Sequence, residues 1–126
     1  MIVIDTDVLI EILDKKSGKG DEALRQILES GDEIFTTVIT LHEVLYGLRK
    51  RGKPAKDVLL LPILSYTKRD ALLSSRMELE AERQGKPIPR ADTMIAAITV
   101  NNEAKLYTLD LIHFSSLKAF GLKLFP

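Results

Sequence analysis

Four carboxylates stand where a fold could gather them. Asp5 follows the apolar, β-branched run Met1–Ile4, and Asp110 ends the run Lys105–Leu109. Glu43 falls in the first turn of a helix that the sequence opens at Thr40, and Asp92 in the first turn of one running from Arg90 to Glu103. Singly, each has an ordinary structural use, since an acid early in a helix is favoured by the helix dipole. Together they imply more. Carboxylates about 5 Å apart repel by roughly 3 kcal/mol per pair at an effective dielectric near 20. A fold that collects four of them needs a cation, and an all-oxygen set without Cys or His selects Mg²⁺ or Mn²⁺. Such a centre suits hydrolysis of a phosphate ester by an activated water.

The flanking sequence must position these acids. Ile2-Val3-Ile4 reads as a buried parallel strand, and Val8, Leu9, Ile12 and Leu13 follow at helical spacing. Ligands of open α/β sheets bind beyond the C-terminal ends of the strands, where Asp5 would stand. Asp7 reads as the N-cap of the first helix, which gives out near Asp14. The loop Lys15–Gly20 contains Gly-Lys but is no P-loop, because Gly20 stands where Ser or Thr is required. Asp21–Ser30 is an amphipathic helix on Ala23, Leu24, Ile27 and Leu28, closed by Gly31, and Glu33–Val38 is the second strand. The Thr40 helix buries Leu41, Val44, Leu45 and Leu48. His42 lies about 100° round that helix from Glu43 and is read as a surface residue. Arg49, Lys50, Arg51, Lys53 and Lys56 form a basic cluster, a solvated helix end or an RNA backbone contact.

Pro62 divides a short helical turn from a strand around Ile63–Tyr66. Thr67 caps a helix Lys68–Gln84, with Ala71, Leu72, Ser75, Leu79 and Glu82 as its partly buried face, ended by Gly85. Lys86–Pro89 cannot be helical. The helix after it is apolar over most of its circumference. Ile112, Phe114, Leu117 and Phe120 anchor a last short helix, and Leu122–Phe125 is a closing strand. This alternation predicts an α/β fold with a mostly parallel sheet covered on both faces.

Composition sets limits. The 126 residues suit a single domain, 1–126. Lys plus Arg balances Asp plus Glu at 18 each, which argues against a broad basic DNA-binding surface. There is no cysteine, hence no disulfide or thiolate nucleophile. No run reaches membrane-spanning length, and a cytoplasmic protein is expected.

The segments IDTDVLIEIL, TLHEVLYG, PIPRADTMIAA and LYTLDLIHF resemble the four acidic motifs of PIN-domain ribonucleases, and most closely the toxins of VapBC-type toxin–antitoxin pairs. The resemblance spans nearly the whole chain. It implies a three-layer α/β/α fold, a metal-dependent endoribonuclease with Asp5, Glu43, Asp92 and Asp110 as metal-binding acids, and Thr6 and Thr108 as flanking hydroxyls. It also implies an RNA substrate, a cognate antitoxin and a homodimer. Exposed apolar residues expected at Tyr46, Leu60, Leu61, Leu64 and Leu79 are consistent with pairing. The chain departs from relatives at Arg90, where many have an acid, and at His113, where some do; Asp7 is a further acid where relatives often have Asn or Ser. Three alternatives are weighed: a catalytically inactive PIN-like RNA-binding module, a haloacid-dehalogenase-like phosphatase suggested by Asp5-Thr6-Asp7-Val8, and a receiver domain. The second lacks a later paired-acid loop. The third lacks a well-placed acceptor Asp and Lys.

Overall fold

The computed structural model describes residues 1–126. Five parallel strands lie in the order β3-β2-β1-β4-β5: β1 (Ile2–Ile4), β2 (Ile34–Thr37), β3 (Ile63–Leu64), β4 (Lys105–Tyr107) and β5 (Lys123–Phe125). β1 is central, pairing Ile2 with Ile34 on one side and with Lys105 on the other. Its three residues are fully buried, as an apolar strand with both faces covered must be.

Side chains alternate across the sheet and feed two cores. Ile2, Ile4 and Tyr107 pack with α1 (Thr6–Leu9), α2 (Gly18–Ser30), α3 (Val38–Lys50) and α4 (Lys56–Leu59). Val3 and Leu106 pack with α5 (Lys68–Arg83), α6 (Arg90–Asn101) and α7 (Leu111–Ser115). The fold is therefore three layers, α/β/α. No helix is long and apolar enough to cross a membrane.

Several boundaries differ from the sequence reading. Asp5, not Asp7, caps α1, and its carboxylate accepts the Thr6 N–H. The first helix gives out beside Asp14, as read, but its last turns are a π-helical stretch, Ile10–Lys15. The expected Lys15–Gly20 loop shrinks because Ser17 caps α2 at Gly18, accepting the Gly20 N–H at 3.0 Å. Gly20 is required there: a Cβ on it would stand 2.3 Å from the Glu11 carbonyl oxygen. α3 opens at Val38 under a Thr37 cap rather than at Thr40, so Glu43 sits in its second turn. α6 ends at Asn101, β4 at Tyr107 and β3 at Leu64, each short of the expected limit.

The buried face of α5 is Asp70, Ser74, Met77 and Ala81, whereas Leu72 and Leu79 are exposed. Polar partners explain the rotation. Asp70 closes a capping box with Thr67 and accepts Asn101 Nδ2 at 2.8 Å, and Ser74 Oγ is 2.7 Å from the Tyr66 hydroxyl. A polar group with its hydrogen bonds satisfied can be buried at little net cost. Phe114 and Leu117 anchor the last helical segment, but Ile112 is 89% exposed. Leu61 and Leu64 pack inward, leaving Leu60 exposed at 81%.

Candidate active site

The chain runs outward from β1 to β2 and β3, then returns past β1 to β4 and β5. The strand order reverses at β1/β4, and the crevice beyond the C-terminal ends of the strands at such a point is where α/β folds bind ligands. Asp5 leaves β1 there, and Thr108–Asp110 leave β4. The Asp5 N–H donates to the Tyr107 carbonyl at 2.9 Å and locks the two strand ends together.

Hydrogen bonds then order the acids. Asp5 is only 4% exposed; its Oδ1 accepts the Thr6 N–H at 2.8 Å and its Oδ2 the Thr108 hydroxyl at 2.7 Å. The Thr108 oxygen in turn accepts the Asp110 N–H at 3.0 Å. Thr6 donates its hydroxyl to Glu43 Oε1 at 2.6 Å and stands 3.1 Å from the Thr40 hydroxyl, so α1 and α3 are joined at the cluster. Asp7 accepts the Leu109 N–H, 3.2 Å from each carboxylate oxygen. Asp110 caps α7 by accepting the His113 N–H at 3.1 Å. His113 Nδ1 lies 2.7 Å from Asp110 Oδ2 and 3.4 Å from Asp92 Oδ2.

The structure thus joins the four acids expected from the sequence, with Thr6 and Thr108 between them. It adds Asp7 and His113. The sequence carried a signal for each: Asp7 lies one residue beyond Thr6, and His113 lies three residues after Asp110, on the same side of a short helix. Arg90 points elsewhere, pairing with Glu78 at 3.0 Å, and His42 is exposed, as read.

The acids sense one another. Burial first, then Asp7 and Asp92, raise the Asp5 carboxyl to about 7 against the opposing bonds from Thr108 and Thr6. Burial and then Asp110 raise Asp92 to about 6, with Glu43 and Asp7 adding and His113 opposing. Asp7 is also raised, by burial and by Asp110, against the Leu109 N–H. No lysine or arginine is among these leading influences. Asp5 is buried, Asp7, Asp92 and Asp110 are half-buried and Glu43 is exposed; carboxylates whose charged forms disfavour one another are a donor set that a divalent cation fits.

A family model described as "PIN domain" matches residues 2–125. The chain belongs to the PIN domain family. This PIN domain is 28% identical to "Ribonuclease VapC1" of Methanocaldococcus jannaschii, over 98% of the chain and 86% of that relative. Its fold is similar to that in the structure of VapBC2 from Rickettsia felis bound to a promoter DNA fragment, with a TM-score of 0.81 and 22% identity over 99% and 98% of the two chains. It is also similar to VapC20 of Mycobacterium tuberculosis, a sarcin-ricin-loop-cleaving toxin, with a TM-score of 0.69 and 17% identity over 97% and 96%. At these identities the two structures bear on the fold alone. Family membership sets aside the dehalogenase-like and receiver readings.

Proposed function

We propose that this PIN domain is a divalent-cation-dependent endoribonuclease, the toxin of a VapBC-type pair, with Asp5, Glu43, Asp92 and Asp110 as its cation-binding acids. The observation that carries this reading is the gathering of Asp5, Asp92 and Asp110 beyond the β1 and β4 ends, with Glu43 tied in through Thr6, raised carboxyls on Asp5 and Asp92, and no lysine or arginine among the leading influences on them. Mg²⁺ or Mn²⁺ is the expected ion. When bound, such a cation supplies charge neutralisation at the scissile phosphate and lowers the pKa of a water. The protein's own residues do the rest. Thr108 fixes Asp5 and the Asp110 backbone together, Thr6 aims Glu43, and Asp7 holds the β4 end against α1. RNA hydrolysis needs little more than positioning and electrostatics of this kind.

The substrate strand has an approach along α3. In the basic cluster, Arg51 and Lys53 are both paired with the buried carboxylate of Asp14. Arg49 and Lys50 are exposed, and Lys50 Nζ sits 5.8 Å from the Tyr46 ring centre. Glu43, Tyr46 and Lys50 follow one another along one side of the helix, with Lys50 about 10 Å beyond Glu43 at 1.5 Å rise per residue. An aromatic face with flanking cations is suited to a single-stranded nucleic acid.

Two partners complete the proposal. Of the residues expected to pair with a second copy, Tyr46, Leu60 and Leu79 are exposed. An antitoxin would silence the site by placing an arginine among the acids, a planar fork that bonds carboxylates bidentately and keeps its charge. The test is cleavage of defined RNAs by wild type, Asp5→Asn and Asp92→Asn, in Mg²⁺ or Mn²⁺ and in EDTA. Cleavage by the wild type alone, and only with the ion, is expected; cutting by either variant at the wild-type rate defeats the site assignment.

A further inference from the structure

The position of His113 changes the character of the cluster. Its Nδ1 addresses two carboxylates from different elements, Asp110 Oδ2 at 2.7 Å and Asp92 Oδ2 at 3.4 Å. It therefore stands between two acids rather than behind one. Asp92, Asp110 and His113 each offer a donor atom, all within 4.8 Å of one another. Adjacent donors of an octahedron with bonds of about 2.1 Å are roughly 3.0 Å apart, and the two imidazole spacings bracket that value. Asp110 Oδ1 is occupied by the His113 N–H, which fixes the residue and leaves Oδ2 on the imidazole side.

Resting on the reading of this cluster as a cation centre, we propose that His113 Nδ1 is a ligand of the cation and tilts the site from Mg²⁺ towards Mn²⁺ and its first-row neighbours. Mg²⁺ is a hard ion held by oxygens, whereas the transition series accepts imidazole nitrogen readily. The ligand form is the neutral imidazole with its single proton on Nε2, which leaves the Nδ1 lone pair free for the cation. An outer residue that only oriented Asp110 would leave the donor set all-oxygen, and the two arrangements differ in a directly measurable way.

The probe is Mn²⁺ alone, bound to the full chain and read by electron spin echo modulation, which detects a nitrogen bonded to the ion. The wild type should show a ¹⁴N coupling that changes to a ¹⁵N pattern when the protein is made with ¹⁵N-histidine. The chain's other histidine is His42, exposed on α3, so His42→Gln should keep the coupling and His113→Asp should abolish it. By competition titration, His113→Asp should lower the preference for Mn²⁺ over Mg²⁺ about tenfold or more, the scale at which single groups around a metal act. Bound Mn²⁺ with no histidine nitrogen coupling in the wild type overturns the ligand role while leaving the acid cluster as a cation site. No Mn²⁺ binding, or binding indifferent to Asp92→Asn, overturns the cluster reading itself and this inference with it. The labelled wild-type spectrum decides the matter even if a variant fails to fold.

Discussion

Replacing Asp5 by Asn separates the charge of this residue from its geometry. Asn caps a helix as well as Asp does, its one carbonyl oxygen taking the Thr6 N–H; its amide NH2 then faces the Thr108 hydroxyl, which reaches Asp5 Oδ2 at 2.7 Å and must turn to accept instead. What disappears is a buried negative charge. Without a cation the Asp5 carboxyl rises from 3.8 to about 7, a span of about 3 on the pH scale. At roughly 1.4 kcal/mol each, ionisation in the fold then costs on the order of 4 kcal/mol. The sign follows from proton counting. Between those values the native state holds a proton that the unfolded chain has lost, so native stability falls as pH rises from about 4 through about 7. Asp5→Asn removes this slope and gives back about 1 kcal/mol through a weaker hydrogen bond. In EDTA the variant should be on the order of 3 kcal/mol more stable than wild type near about pH 8, and within about 1 kcal/mol of it near about pH 4. Urea unfolding followed by circular dichroism at the two pH values measures this. Saturating Mn²⁺ should narrow or reverse the upper-pH gap, because it stabilises only the chain that binds it. A variant equally favoured at both pH values, or less stable at the upper one, refutes the argument.

Other outcomes follow from the same geometry. Cation binding should strengthen as pH rises through about 6 to 7, the window in which Asp92 and Asp5 lose their protons, as a calorimetric titration across pH would show. Thr108→Val removes the hydroxyl that joins Asp5 to the Asp110 backbone and should weaken cation binding by about tenfold or more with the fold kept. Tyr46→Ala with Arg49→Ala should raise KM for single-stranded RNA with kcat little changed, and should reduce the salt dependence of binding by about one phosphate contact. Gly20→Ala should destabilise by about 1 to 3 kcal/mol or more, since the new methyl meets the Glu11 backbone; an unchanged urea midpoint would mean that the α1–α2 contact is misread.

The fold was legible where apolar spacing had only one solution. Ile2-Val3-Ile4 and the all-round apolar α6 could go nowhere but the interior, and the order of elements followed. Errors arose where hydrogen bonds rather than apolar area choose the conformation. Two threonines could cap α3, and Thr37 does so because its side chain accepts the Thr40 N–H at 3.1 Å. On α5 an apolar count favours Leu72, but the bonds of Asp70 and Ser74 bury the adjacent face. The π-helical end of α1 has no local sequence signature, and its trace is Gly20, whose absent side chain admits the Glu11 carbonyl. In the site, Asp5, Asp92 and Asp110 stand at the strand and helix ends where the sequence put them, whereas Glu43 lies a turn further into α3. His113 was marked only by its place three residues after Asp110, because nothing local tells an imidazole facing solvent from one facing two carboxylates across a turn. Asp7 looked like a cap, but the Leu109 N–H that it accepts comes from more than a hundred positions away in the chain.

The proposed role of this acid cluster is to direct water, with a bound cation, against an RNA phosphodiester. Its most direct test is the chemistry of the ends. A defined single-stranded RNA is cut by the purified protein with Mn²⁺ in water enriched in ¹⁸O, and the fragments are weighed by mass spectrometry. One ¹⁸O in each new terminal phosphate, and cutting that persists when the 2′-hydroxyl beside the scissile bond is replaced by hydrogen, is the predicted result. Fragments ending in a 2′,3′-cyclic phosphate without label, or cutting that continues in EDTA, would contradict it.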